Sequence, residues 1–327
     1  MGKFWDFPLV PTQASSLAGK VDALFLSELG ITIFFTLLVC AIFLTLSIRY
    51  RRGTRVDRTN PVRTSLRLET LWIVVPFLLT LTMFFPGAIL FYQQYSPPAD
   101  ASDVYVVAKQ WMWKLKHPEG RREINELHVP LGRAVKLTMT SQDVIHSFFV
   151  PDFRMKQDVL PGRYTSTWFR PTKVGKYHLF CAEYCGTQHS MMGGWVYVMD
   201  PADYERWLAG GTSGGYSGGR QETSMAREGE ELFVRNHCAG CHRGSQVVKA
   251  PQLQGVYGRP VPIQEGKDVR FVQADDRYIR DSILLPKSQV VAGYEPLMPS
   301  YKGVIDEEDL LKIIEYIKSI GPGGTER

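Results

Sequence analysis

Two long apolar runs, a set of short alternating segments and one late helical stripe divide the chain. From Leu24 to Ile48 nearly every residue is apolar, with Glu28 the only charge. A second run, Leu71 to Tyr92, carries no charge at all. Each is about the length of a bilayer-spanning helix. Pro76 and Pro86 would break a soluble helix but are tolerated in a membrane. Neither run has a polar face, so two buried core helices fit poorly. After a Pro/Ala/Asp linker at 96–103, Val104–Lys109, Ala134–Thr140, Arg163–Phe169, Lys176–Phe180 and Trp195–Met199 alternate apolar and polar residues between turn signals. Short strands at such spacing predict a β-sandwich or barrel. The last hundred residues read as helical. One helix is expected over Ser224–Asn236 and another over Asp306–Ile320, whose Leu310, Ile313, Ile314, Ile317 and Ile320 form one stripe.

Composition changes this picture at three places. The net charge is +5, and seven arginines crowd between Arg49 and Arg67. Lying between two apolar runs, they indicate a cytoplasmic loop by the positive-inside rule rather than a nucleic-acid surface. Both termini, and everything after about residue 95, then lie outside. Residues 1–25 lack the ordered regions of a cleavable signal peptide. Residues 210–224 are Gly/Ser-rich, a flexible tether of about fifteen residues with an end-to-end distance on the order of 20 Å.

The five cysteines are Cys40 in the first apolar run and two close pairs, Cys181/Cys185 and Cys238/Cys241. Cys181 to Met192 packs two thiols, His189 and a thioether into a loop between two expected strands. Soft sulfur and imidazole donors favour copper, and two thiolates can bridge two ions. Such a site needs a second imidazole, for which His117, His128, His146 and His178 are upstream candidates; a Cys181–Cys185 disulfide is the alternative. Cys238-Ala-Gly-Cys241-His242 has the spacing that adds two thiols to a haem and puts an imidazole on its iron. A zinc knuckle would need two more ligands, yet no cysteine or histidine follows His242. Met298 is the only later methionine and so the candidate sixth ligand, a pairing suited to electron transfer. Trp111 and Trp113 read by spacing as core or interface residues. Glu69, at the start of the second span, reads on physics alone as an acid favoured by the helix dipole.

These residues together resemble cytochrome c oxidase subunit II with a fused C-terminal cytochrome c domain, the caa type. The resemblance rests on the two-span hairpin, Glu69-Thr-Leu-Trp72, Gln110-Trp-Met-Trp113, His146-Ser-Phe-Phe-Val-Pro-Asp-Phe153, Cys181–Met192 and the haem motif. It implies a multidomain chain: an extracytoplasmic segment at 1–23, a transmembrane hairpin at 24–95, a cupredoxin-like antiparallel β-sandwich at 96–209, the tether, and an all-α class I cytochrome c domain at 225–327. It implies a binuclear copper A centre held by His146, Cys181, the Glu183 carbonyl, Cys185, His189 and Met192, and haem c on Cys238, Cys241, His242 and Met298. The Glu183 side chain would touch magnesium at the boundary with subunit I. Trp111 would receive electrons, and Glu69 would stand at the mouth of a proton pathway, against the bland reading above. Met112 departs from the aromatic residue common between the two tryptophans. The implied activity is electron relay to a haem–copper subunit I that reduces oxygen with proton translocation. The implied surroundings are a bacterial inner membrane, subunits I and III, lipid, and an external donor such as a cytochrome c or a quinol-oxidising complex. A membrane electron carrier without an oxidase partner and a copper-delivery protein are the rival readings.

Overall fold

The structure is a computed structural model that describes residues 10–56, 59, 64–210, 224–243, 250–266 and 268–321. Most of the expected tether (211–223), Arg58 and Arg63 of the basic loop, and both chain ends lie outside the described residues.

Two helices, α1 (Ala18–Arg49) and α2 (Leu66–Tyr95), form the hairpin. They are 32 and 30 residues long, and no residue of their most apolar stretches is buried within the chain. Each is longer than the hydrocarbon thickness at 1.5 Å per residue, so their ends extend beyond it. Pro76 and Pro86 lie inside α2 without ending it. Ser65 caps α2 and Glu69 lies in its first turn.

The β domain is a two-sheet sandwich. Its strands are β1 (Ser102–Lys109), β2 (Met112–Lys116), β3 (Arg122–Ile124), β4 (Glu126–Pro130), β5 (Val135–Ser141), β6 (His146–Val150), β7 (Met155–Val159), β8 (Thr165–Phe169), β9 (Gly175–Cys181) and β10 (Gly193–Met199). One sheet runs β3-β2-β1-β5-β8, the other β4-β10-β9-β6-β7. Pairing is antiparallel except for β1 with β5 and β10 with β4, which are parallel. These two parallel pairs depart from the expected wholly antiparallel sandwich. They arise where the chain crosses between sheets before it rejoins one. Val106, Trp113, Leu115, Leu137, Phe148 and Val196 fill the space between the sheets. Helix α3 (Pro201–Leu208) closes the domain with Tyr204 and Trp207 against His117.

The hairpin is riveted to this sandwich. The Arg154 guanidinium donates to both oxygens of Asp22 at 2.6 and 2.8 Å, and to the carbonyls of Pro151 and Pro11 at 2.6 and 2.7 Å. On the other helix the Trp168 Nε1–H donates to the Gln93 carbonyl at 2.8 Å. Arg154 holds the Asp22 carboxyl below its usual range, against the effect of burial. The pairing therefore stabilises the attachment above the ordinary carboxylate value and is lost as pH falls through the lowered one. Arg154→Ala should lower the stability of the β domain in the full chain by about 2–3 kcal/mol, because Asp22 loses its only cation among the described residues and keeps just the Gln13 amide at 2.8 Å. Thermal unfolding checks this, and the difference from wild type should shrink below about pH 4.

The C-terminal unit contains α4 (Met225–Arg235), α5 (Ala239–His242), α6 (Asp276–Leu284) and α7 (Glu307–Ser319). Ser224 caps α4 through the Arg227 N–H at 3.3 Å, and Asp306 caps α7 through the Asp309 N–H at 2.8 Å. Helices α4 and α7 pack face to face: a Cβ on Gly229 would lie 1.9 Å from the Lys312 carbonyl oxygen, so only glycine allows this approach. The unit also carries a hairpin, β11 (Pro260–Glu265) and β12 (Asp268–Gln273), which the all-helical expectation did not include. Its core is continuous with Tyr105, Val107 and Tyr164 on the outer face of the first sheet.

Candidate copper and haem sites

The β9–β10 loop brings the soft donors together. Strand β9 ends at Cys181 and β10 begins at Gly193, and their antiparallel pairing closes a loop over residues 182–192. Gly186 lies in it at φ +118, where a Cβ would come within 2.9 Å of Gln110 and 3.3 Å of Trp111. The β1–β2 turn therefore presses on this loop, and Gln110 Nε2 donates to the Cys185 carbonyl at 2.8 Å. Strand β6 runs beside β9, with Phe148 opposite Cys181, which carries His146 in from the neighbouring strand.

The resulting cluster repeats a pattern. His146 Nδ1 is 3.9 Å from Cys181 Sγ, and His189 Nδ1 is 3.4 Å from Cys185 Sγ. The Glu183 carbonyl lies 3.3 Å from Cys181 Sγ, and Met192 Sδ lies 3.7 Å from Cys185 Sγ. The two sulfurs are 3.8 Å apart and both cysteines are free, so this geometry is not that of a disulfide. Each thiol thus has one imidazole and one weaker donor of its own. Four of the donors are buried, His146 at 0 %, Met192 2 %, Cys185 3 % and Cys181 8 % exposed, while His189 is half-buried. The donor atoms of His146, Cys181 and Cys185 all lie within 4.8 Å of one another. This donor set fits two soft ions bridged by two sulfurs.

Electrostatics favour thiolate at the first position. Burial pushes the Cys181 thiol up, but His146 and the backbone at Ser147 and Glu183 outweigh it and bring it down to about 6. Burial, followed by the charge on Cys181, drives the Cys185 thiol the other way. The pair therefore releases one proton readily and the second reluctantly, until a cation replaces it.

Sequence reasoning missed two supporting residues. Asp143 accepts from His146 Nε2–H at 2.8 Å, which leaves the Nδ1 lone pair aimed at Cys181. A carboxylate behind a ligating histidine fixes its tautomer and orientation. Its signal was an acid three residues before the candidate histidine. Gln110 had no such signal, because its contact with Cys185 spans 75 residues. The remaining candidates go elsewhere. His117 and His128 both bond to the buried Glu123 carboxylate, at 2.9 and 2.5 Å. His178 stacks on Trp195. Trp113 is fully buried core, whereas Trp111 lies half-buried against the ligand loop.

In the C-terminal unit Cys238, Cys241, His242 and Met298 line one cavity of about 1300 Å³, counting its open mouth. Ile279 and Ile283 of α6 and Ile313 and Ile317 of α7 make its wall apolar. His242 Nδ1–H donates to the Pro251 carbonyl at 2.8 Å, which leaves Nε2 free as a ligand. Two thiols, a free imidazole nitrogen and a thioether around an apolar cavity fit a covalently held haem.

Both domains match known families. Residues 101–198 match the family described as cytochrome c oxidase subunit II, periplasmic domain, and residues 226–321 match cytochrome c. The chain is 34% identical to the alternative cytochrome c oxidase subunit 2 of Bradyrhizobium diazoefficiens over 47% of its own length, and spans 63% of that relative. It is 27% identical to cytochrome c oxidase subunit 2 of Alkalihalophilus pseudofirmus over 87% of its own length and 82% of the relative's. With the same-named protein of Thermostichus vulcanus the identity is 31%, over 61% of this chain and 77% of the relative. An identity of that size across more than two thirds of a relative places this chain in the cytochrome c oxidase subunit II family, with a cytochrome c domain following the copper-type domain.

Proposed function

We propose that this chain is the electron-accepting subunit of a respiratory oxidase. The cytochrome domain (225–327) receives electrons from an external donor and passes them to the copper domain (96–209). They leave toward subunit I, where oxygen is reduced and protons are moved. When bound, haem c and the copper A pair supply one-electron redox chemistry. His146, Cys181, the Glu183 carbonyl, Cys185, His189 and Met192 would hold the copper pair, and Cys238, Cys241, His242 and Met298 the haem. Asp143 orients His146, Gln110 fixes the ligand loop, and burial of both sulfurs keeps water away from the cluster. Trp111, pressed against that loop, is the candidate route for incoming electrons.

The exposed Glu183 side chain is available for magnesium at a subunit boundary. Helices α1 and α2 anchor the chain in a bacterial inner membrane, in contact with lipid and with subunits I and III, and both folded domains stand outside. Glu69 then lies at the cytoplasmic start of α2, in position to feed a proton path. Undiminished turnover and pumping by a Glu69→Gln enzyme would remove it from that role.

The observation that carries this reading is the doubled donor set, one imidazole and one weak donor for each of two sulfurs 3.8 Å apart. Copper EPR on the purified complex tests it. One unpaired electron shared by two copper nuclei is expected, with two coppers for each haem iron of this chain. A single-nucleus signal would falsify the binuclear assignment, and absence of a co-purifying haem–copper subunit at full copper and haem content would favour a free-standing carrier.

A further inference from the structure

The outer face of the β3-β2-β1-β5-β8 sheet is covered, and what covers it is the chain's own C-terminal unit. Tyr105 is at the centre of the contact, 1 % exposed although its side chain points out of the sandwich core. Its hydroxyl meets the Glu315 carboxylate and accepts from Lys318 Nζ at 2.6 Å. Lys318 also pairs with Asp276 at 2.8 Å and reaches Asp103 on the sheet at 3.7 Å. Lys136 on β5 completes the group, 3.3 Å from Asp103 and 3.3 Å from Asp276 across the boundary. A second set stands beside it. Glu228 of α4 takes Lys116 and Arg122 from the sheet, each at 2.9 Å, and Lys114 pairs with Glu308. At the other edge the Arg280 guanidinium lies 5.3 Å from the Tyr164 ring.

We infer that this sheet face is a dedicated seat for the chain's own haem-binding domain, latched by the ion cluster around Tyr105 and Lys318. Three features point to a seat for one occupant. Charges alternate across the boundary, so each acid meets a cation: Asp276 meets Lys136, Glu228 meets Lys116 and Arg122, and Asp103 meets Lys318. Asp103, Asp276 and Glu228 each share two cations, so removing one cation leaves these largely buried acids short of positive charge, which is the costly event for buried ions and a source of specificity. Helix α7 is also two-faced. Glu308, Glu315 and Lys318 turn to the sheet, while Ile313 and Ile317 turn to the haem cavity. The seat therefore holds the domain by the back of its cavity wall and leaves the mouth uncovered by this contact. Finally, the Met225 N–H, just after the tether, donates to the Pro118 carbonyl at 3.1 Å, so the tethered end starts on the copper domain itself. A tether of about fifteen residues gives an effective concentration on the order of 1 mM, so a weak contact already keeps the domain seated.

An external donor is thereby kept off this sheet face and must meet the cytochrome domain on its cavity side. The seat stands apart from the relay proposed above, because its test reads contact and not turnover. Zero-length carbodiimide cross-linking of the purified complex, followed by mass spectrometry, should join Lys114 to Glu308, whose side chains are 33% and 40% exposed. Lys136→Glu places a third acid beside Asp103 and Asp276, and should reduce that yield by about tenfold. Unaltered copper and haem content serves as the control for folding. Should K136E lose its copper, Tyr105→Phe takes its place, with a yield reduced at least about threefold. No cross-link in wild type or an unchanged yield in the variant would each overturn the latch.

Discussion

Cys181→Ser is expected to break up the copper pair while leaving the haem in place. Cys181 is one of the two sulfurs about which the donors gather, with His146 at 3.9 Å, Cys185 at 3.8 Å and the Glu183 carbonyl at 3.3 Å. A serine hydroxyl is a harder donor that stays protonated, so neither the bridge nor the charge is replaced. The remaining set holds one thiol, so the paired sulfur bridge and one of its two negative charges are lost. Loss even of a residue that only orients a ligand costs about 10–100-fold in metal affinity. Loss of a bridging ligand should cost at least that, and donor-driven oxygen uptake should fall on the order of a hundredfold or more. Copper per chain should drop from two to one or none, and the shared-electron EPR signal should vanish. Haem absorbance should be unchanged, since its cavity is built from residues after Phe233 in a separate domain. A variant that keeps both coppers and the shared signal would sink the ligand assignment.

Cys181 also shows what the sequence could and could not disclose. Its loop was legible because cysteine, histidine and methionine within twelve residues have few other uses. From the residues alone the partner on another strand was legible only as a choice among four histidines, and it was the resemblance that pointed to His146. The structure makes the choice by strand pairing, since β6 lies against β9 while His117 and His128 are spent on Glu123. The long helices and α7 were readable from periodicity and caps, which are local signals. Strand β6 was not, because Phe148 and Phe149 are both apolar and blur the alternation. The β11–β12 hairpin was hidden for a related reason. Pro260 and Pro262 argue against a strand, yet both belong to one that pairs with β12, and the Pro262 carbonyl accepts from the Ala292 N–H at 2.8 Å. The sheet seat was invisible, because Tyr105 and Glu315 are 210 residues apart and each reads alone as an ordinary surface residue.

Met298→Ala should separate holding the haem from tuning it. Covalent attachment depends on Cys238 and Cys241, and His242 is fixed from behind by the Pro251 carbonyl at 2.8 Å, so none of these contacts involves Met298. The haem should stay attached through denaturation and acid extraction. What changes is the donor opposite His242. Met298 sits between Pro296 and Pro299, half-buried at the cavity wall, and a thioether there favours reduced iron and raises the potential. Alanine leaves that position to water or to nothing, both of which favour oxidised iron. The potential should fall by on the order of 0.1 V or more within the span that axial ligands control. At about 59 mV per factor of ten for one electron, a fall of that size makes reduction of this domain by an external donor at least tenfold less favourable. Turnover driven from the donor should drop with it, while a small reductant supplied directly to the copper domain should support undiminished turnover. A spectroelectrochemical titration reads the shift, and an unchanged midpoint would show that Met298 is a wall residue and that the iron takes its second axial ligand elsewhere.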